Sequence, residues 1–158
     1  MDTQRHRYGN NDPFVGAVDS GTVIEIGDLV MLETDDVRPA SDQAAGSALA
    51  NTQESFHDKF FGVAAQRSRS GDTDPIRVDT AGVFEYPCDS TNFEIGDRIG
   101  VAESSAFALE DQKVVRLGAF GTLSNRAIGA CAQRGTALTK VMVRIESTVM
   151  TGGPKAMA

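Results

Sequence analysis

The chain has 158 residues, 41% hydrophobic and 23% charged, enough for one domain of average size or two small ones sharing a core. A formal net charge of -7 repels phosphate backbones and argues against nucleic acid as a main partner. No apolar run approaches the roughly 20 residues that span a bilayer, so no membrane partner is expected. The stretch 1–11 is polar and contains no apolar signal segment, so secretion is not expected.

In chain order, residues 1–14 show no periodicity and read as an extended N-terminal arm. Arg5, Arg7, Tyr8 and Phe14 give that arm charge and aromatic surface with which to bind a neighbouring protein. Residues 15–150 then read as a single β domain. Sixteen glycines and no tryptophan tilt it toward strands and turns.

The most informative feature of this domain is self-similarity. Glu25-Ile26-Gly27-Asp28 recurs as Glu94-Ile95-Gly96-Asp97. Phe61-Gly62-Val63-Ala64-Ala65-Gln66-Arg67 recurs as Ile128-Gly129-Ala130-Cys131-Ala132-Gln133-Arg134, in the same order and at nearly the same offset. The expectation is a tandem duplication, with one unit over about 15–82 and a second over about 83–150. In each Gly-Asp pair, glycine accepts positive φ and aspartate bonds its own turn, so the chain reverses into an aliphatic strand, 29–32 or 98–101.

The excursion 35–55 is long. Its alanine-rich part, between Asp42 and His57, predicts a short helix of two or three turns, with Asp58 and Lys59 returning toward the strand at 61–65. Residues 81–87 read as a strand stopped at Pro87. Residues 114–117 read as another strand, and Gly118-Ala119-Phe120-Gly121 as a turn. Pro75–Thr80 and Thr139–Glu146 alternate apolar with polar residues and read as half-buried closing strands. The tail 151–158 reads as flexible. The predicted fold class is therefore all-β, a compact barrel or sandwich of two repeated units with at most one or two short helices.

The residue patterns of reactive chemistry are not apparent. His6 and His57 lie far from any nucleophile-base-orienter arrangement and form no zinc spacing with Cys88 and Cys131, which read as free thiols in a reducing compartment. Asp28 and Asp97 are explained by turn chemistry in both copies. Asp72-Thr73-Asp74 lacks the glycine and distal glutamate of a calcium loop. No phosphate-cradling glycine loop occurs. The repeated Gln-Arg pairs, 66–67 and 133–134, read as surface or intersubunit contacts. No catalytic residue, cofactor or metal ligand is predicted, and the chain is not expected to be an enzyme.

The order of these motifs, with Thr80-Ala81-Gly82-Val83-Phe84-Glu85-Tyr86-Pro87 between the two halves, resembles that of small tailed-phage capsid decoration (cement) proteins. The likeness covers about 15–145, and its specificity lies in the order of the motifs. The resemblance implies a β-barrel or β-sandwich subunit that forms a homotrimer on the outer surface of the phage head. There it would bind the major capsid protein and clamp neighbouring capsomers; it would be made in the host cytoplasm. The long excursion and the polar arm depart from that pattern. Two other readings stay open: a fibre- or spike-like binding module on the virion, and a small trimeric nucleotide hydrolase whose aspartate and serine motifs are not evident.

Overall fold

A computed structural model describes residues 5–121 and 125–151. The elements in chain order are β1 (His6–Tyr8), β2 (Pro13–Gly16), β3 (Leu29–Glu33), β4 (Asp36–Pro39), a 3-10 turn (Ala40–Asp42), helix α1 (Leu49–Lys59), β5 (Phe60–Ala64), β6 (Ile76–Asp79), β7 (Ala81–Phe93), β8 (Arg98–Glu103), β9 (Leu109–Gly118), β10 (Gly129–Cys131) and β11 (Gly135–Glu146). The fold is all-β, with one α-helix among the described residues. A five-stranded sheet has the order β2-β6-β5-β3-β4, and a six-stranded sheet has the order β1-β7-β11-β10-β8-β9. All named strand pairs are antiparallel, and a bridge from Ala17 to Asp36 links the two edges of the smaller sheet.

The two orders correspond strand for strand, with β1 left over. Register makes the correspondence exact to the residue at several points: Phe14 faces Val78 as Phe84 faces Val143, and Val30 faces Gly62 as Ile99 faces Gly129. One apolar cluster holds Val18, Ile24, Val30, Val37, Phe61, Ala64, Ile76 and Val78. In the second half the matching positions are Cys88, Phe93, Ile99, Val114, Ile128, Cys131, Val141 and Val143, all members of the larger cluster.

The larger cluster also takes in Leu29, Met31, Phe56, Phe60 and Val63. Side chains alternate across a strand, so β3 sends Val30 into its own half while Leu29 and Met31 pack toward the other. Both faces of β3 and β5 are thereby covered, which explains their unbroken apolar runs.

The recurring motifs prove to be parts of one local device. Gly27 (φ 97) and Gly96 (φ 87) adopt the left-handed conformation that the third residue of a type II turn requires. Asp28 and Asp97 donate their amides to the Glu25 and Glu94 carbonyls at 3.1 and 3.2 Å. Their carboxylates in return accept the Glu25 and Glu94 amides at 3.0 and 2.9 Å. A third turn of this kind, at Arg69–Asp72, has Gly71 at φ 93 and an Asp72 carboxylate that accepts the Arg69 amide at 3.3 Å.

Gly62 and Gly129 serve close approach: a Cβ on either would lie 2.2 Å from the carbonyl oxygen of Asp79 or Arg144. The Gln-Arg pairs are tied within the chain. Gln66 accepts the Arg77 amide at 2.7 Å and Gln133 the Met142 amide at 3.1 Å. Arg67 pairs with Glu25 at 3.1 Å and Arg134 with Glu94 at 3.0 Å. The two motifs of each half are thus joined to each other.

Three expectations need correction. The described part of the N-terminal segment is not an arm standing off the domain: β1 pairs with β7, and β2 pairs with β6. The strand at 81–87 does not stop at Pro87 but runs to Phe93. Glu85 directs its amide outward to the Arg5 carbonyl, so by alternation the nitrogen at Pro87 also faces outward, where β1 no longer pairs and no donor is needed. The helix does form, but it starts at Leu49 and continues through Asp58 and Lys59. Its last residue is held by Glu33 at 2.8 Å, and Thr52, Gln53, Phe56 and His57 form its buried face. Residues 152–158 of the tail lie outside the described residues.

Candidate functional site

A cleft of about 700 Å³ opens where the Glu25–Asp28 turn meets β9, lined by Arg5, Glu25, Asp28, Ser41, Asp111 and Gln112, among others. The Glu25–Asp28 turn and Gln112 of β9 line the cleft, and the fully buried Tyr86 of β7 lies beneath them. The Tyr86 hydroxyl donates to the Gly27 carbonyl at 2.7 Å. The Gln112 side-chain amide donates to the Ile26 carbonyl at 3.1 Å and to the Asp28 carboxylate at 2.8 Å. Arg5 completes the chain of contacts, donating to Gln112 Oε1 at 2.9 Å and to the Glu85 carbonyl at 3.3 Å, with its guanidinium 5.1 Å from the Tyr86 ring centre. Beside these contacts, Asp111 accepts both the amide and the hydroxyl of Ser41, at 2.7 and 3.0 Å.

Asp28 is only 3% exposed. Burial pushes its carboxyl up to about 6, against the opposing hydrogen bonds from the Glu25 amide and Gln112. Its counterpart Asp97 is equally buried, but Arg116 donates to it at 2.7 Å. Burial alone would raise the Asp97 pKa; the Arg116 bond and the Glu94 amide outweigh that and hold it below the ordinary value. Both oxygens of Asp28 are engaged, one by the turn and one by Gln112, so what this carboxylate does chemically is hold the two halves in register.

The other titratable groups are also placed. His57 lies buried with Nδ1 2.7 Å from the Ala127 carbonyl, and His6 packs edge-on against Phe84 at 5.2 Å. Cys88 and Cys131 are free and buried, and burial raises both thiols. Among the described residues no three His, Cys, Asp or Glu side chains are grouped to hold a metal ion.

The four residues expected to bind a neighbour are separated by the fold. Arg5 turns inward and lines the cleft. Arg7 lies on the surface, paired with Glu85 at 3.0 Å. Tyr8 on β1 and Phe14 on β2 are 53% and 42% exposed. Sequence reasoning missed Tyr86, Gln112 and the Ser41–Asp111 tie, because each acts across 59 to 86 residues of chain and leaves no local signal.

The class these features define is a two-sheet, all-β protein whose buried polar residues tie the Glu25–Asp28 turn to strands β7 and β9. No family model matches the sequence, and no curated protein matches it.

Proposed function

We propose that this chain is two copies of one folding unit and serves as a non-enzymatic structural protein of a phage virion. On this reading it forms a homotrimer, binds the major capsid protein on the outer surface of the head and stabilises contacts between capsomers. The observation that carries the reading is how the repeated residues are used. Glu25, Asp28, Gln66 and Arg67, like Glu94, Asp97, Gln133 and Arg134, are spent on turns, ladder ends and ion pairs, which is architecture rather than a reacting centre. The order of the motifs along 15–145 supplies the link to decoration proteins. Many copies, each engaging more than one capsomer, turn modest contacts into firm attachment.

Electron microscopy of particles with and without the chain tests the proposal. The expected outcome is loss of density from the outer shell and heads that burst at lower temperature without it. Density confined to the tail would instead favour a fibre or spike module, and metal-dependent nucleotide turnover by the purified chain would favour a hydrolase.

A further inference from the structure

The two halves differ at one edge. In the second half, the outer edge of β7 carries β1: His6 lies opposite Phe84, the Arg5 carbonyl accepts the Glu85 amide at 3.0 Å, and Phe84 is fully buried. In the first half the matching strand is β2, where Phe14 stands for Phe84 and Val15 for Glu85; among the described residues that edge meets β4 only at the Ala17–Asp36 bridge, and no strand pairs with it at Phe14 and Val15. Phe14 is 42% and Val15 71% exposed.

The backbone there is prepared for pairing. Val15 lies opposite Arg77. Arg77 directs its amide to Gln66 and its carbonyl to Ala65, away from β2. In an antiparallel ladder this makes Val15 and Arg77 a pair without mutual hydrogen bonds, so the Val15 amide and carbonyl point outward. Two residues on, the Ala17 carbonyl also points outward and accepts the Val37 amide at 2.8 Å. The Val15 groups have no such acceptor or donor among the described residues. Pro13 removes one donor from this edge but leaves its carbonyl.

Charge narrows the occupant. Residues 15–82 carry five Lys and Arg against twelve Asp and Glu, whereas residues 83–150 carry seven against eight. A net charge of -7 in the half that owns the open edge disfavours a second copy of that half and favours a basic segment. The strand on the matched edge has this character, Arg5-His6-Arg7-Tyr8.

We propose that the open edge of β2 is a docking edge that takes one extended segment, basic with interspersed apolar or aromatic residues, as an added antiparallel strand from the shell protein. The proposal rests on the capsid reading for the identity of its partner. Strand addition would supply backbone hydrogen bonds through Val15, with the side chains flanking Phe14 and Val15 setting selectivity.

Full-length chain mixed with purified shells that lack it provides the test, with backbone hydrogen exchange of 14–16 measured free and bound. Exchange at the Val15 amide should slow at least ~10-fold on binding, the consequence of gaining a ladder hydrogen bond. The V15P variant removes only an outward donor at an edge, which a strand tolerates. It should keep the wild-type melting temperature while binding shells ~10-fold more weakly. Shell binding with unchanged Val15 exchange overturns the docking edge and leaves the capsid reading standing, and it does so whether or not V15P folds. A chain that does not bind shells overturns both.

Discussion

Asp28 and Asp97 close turns of the same geometry in opposite electrostatic surroundings. The buried Asp28 carboxyl, raised to about 6 from an ordinary 3.8, binds its proton more tightly folded than unfolded. Its contribution to stability is therefore fully present below about pH 4 and is lost as pH rises toward 6, an effect of roughly 3 kcal/mol at most. Asp97 is lowered and behaves in reverse: its contribution is present above the ordinary carboxylate value and is lost as pH falls through its own. Denaturant melts across pH 3–7 should show Asp28→Asn removing a downward slope between pH 4 and 6, and Asp97→Asn removing an upward slope at lower pH. Equal behaviour of the two variants would contradict this asymmetry, which comes from burial that the neutral Gln112 does not offset in one site and from the Arg116 cation in the other.

At the scale of elements, the Gly-x-Ala strands β5 and β10 owe their glycine to the neighbouring strand. Because a Cβ on Gly62 or Gly129 would press into a carbonyl oxygen at 2.2 Å, Gly62→Ala and Gly129→Ala should each cost at least about 2 kcal/mol in urea melts. An alanine at Gly21, where a Cβ meets nothing within 4 Å, should change stability by less than about 0.5 kcal/mol. Strand β3 has a different dependence. Leu29 and Met31 are fully buried against the second half, so truncating either to alanine should cost about 2–5 kcal/mol.

For the whole molecule, the larger apolar cluster crosses from one half to the other through Leu29, Met31, Phe56, Phe60 and Tyr86. Two units that share a core should unfold together. Calorimetry should give one transition, with equal calorimetric and van't Hoff enthalpies. Tyr86→Phe removes the hydroxyl that bonds Gly27 and should lower stability by about 1–2 kcal/mol without splitting that transition. Two resolved transitions would show the halves to be independent.

The local pieces were legible from the residues alone: the two Gly-Asp turns, the aliphatic strands that follow them, the alternating strands at 75–80 and 139–146, and a helix in the long excursion. Each is written in neighbouring residues, through glycine's access to positive φ, the aspartate-to-backbone bond and the two-residue period of a strand. The third turn at Arg69–Asp72 was legible in the same way from its Gly-Asp pair, but the surrounding polar loop concealed it. Only packing settles that Arg5 faces inward, that Pro87 sits within a strand, that Gln112 meets Asp28 across 84 residues, and that β1 pairs with β7 while, among the described residues, no strand pairs with β2 at Phe14 and Val15. Those outcomes depend on which surfaces the two halves bury against each other, and no run of neighbouring residues encodes that.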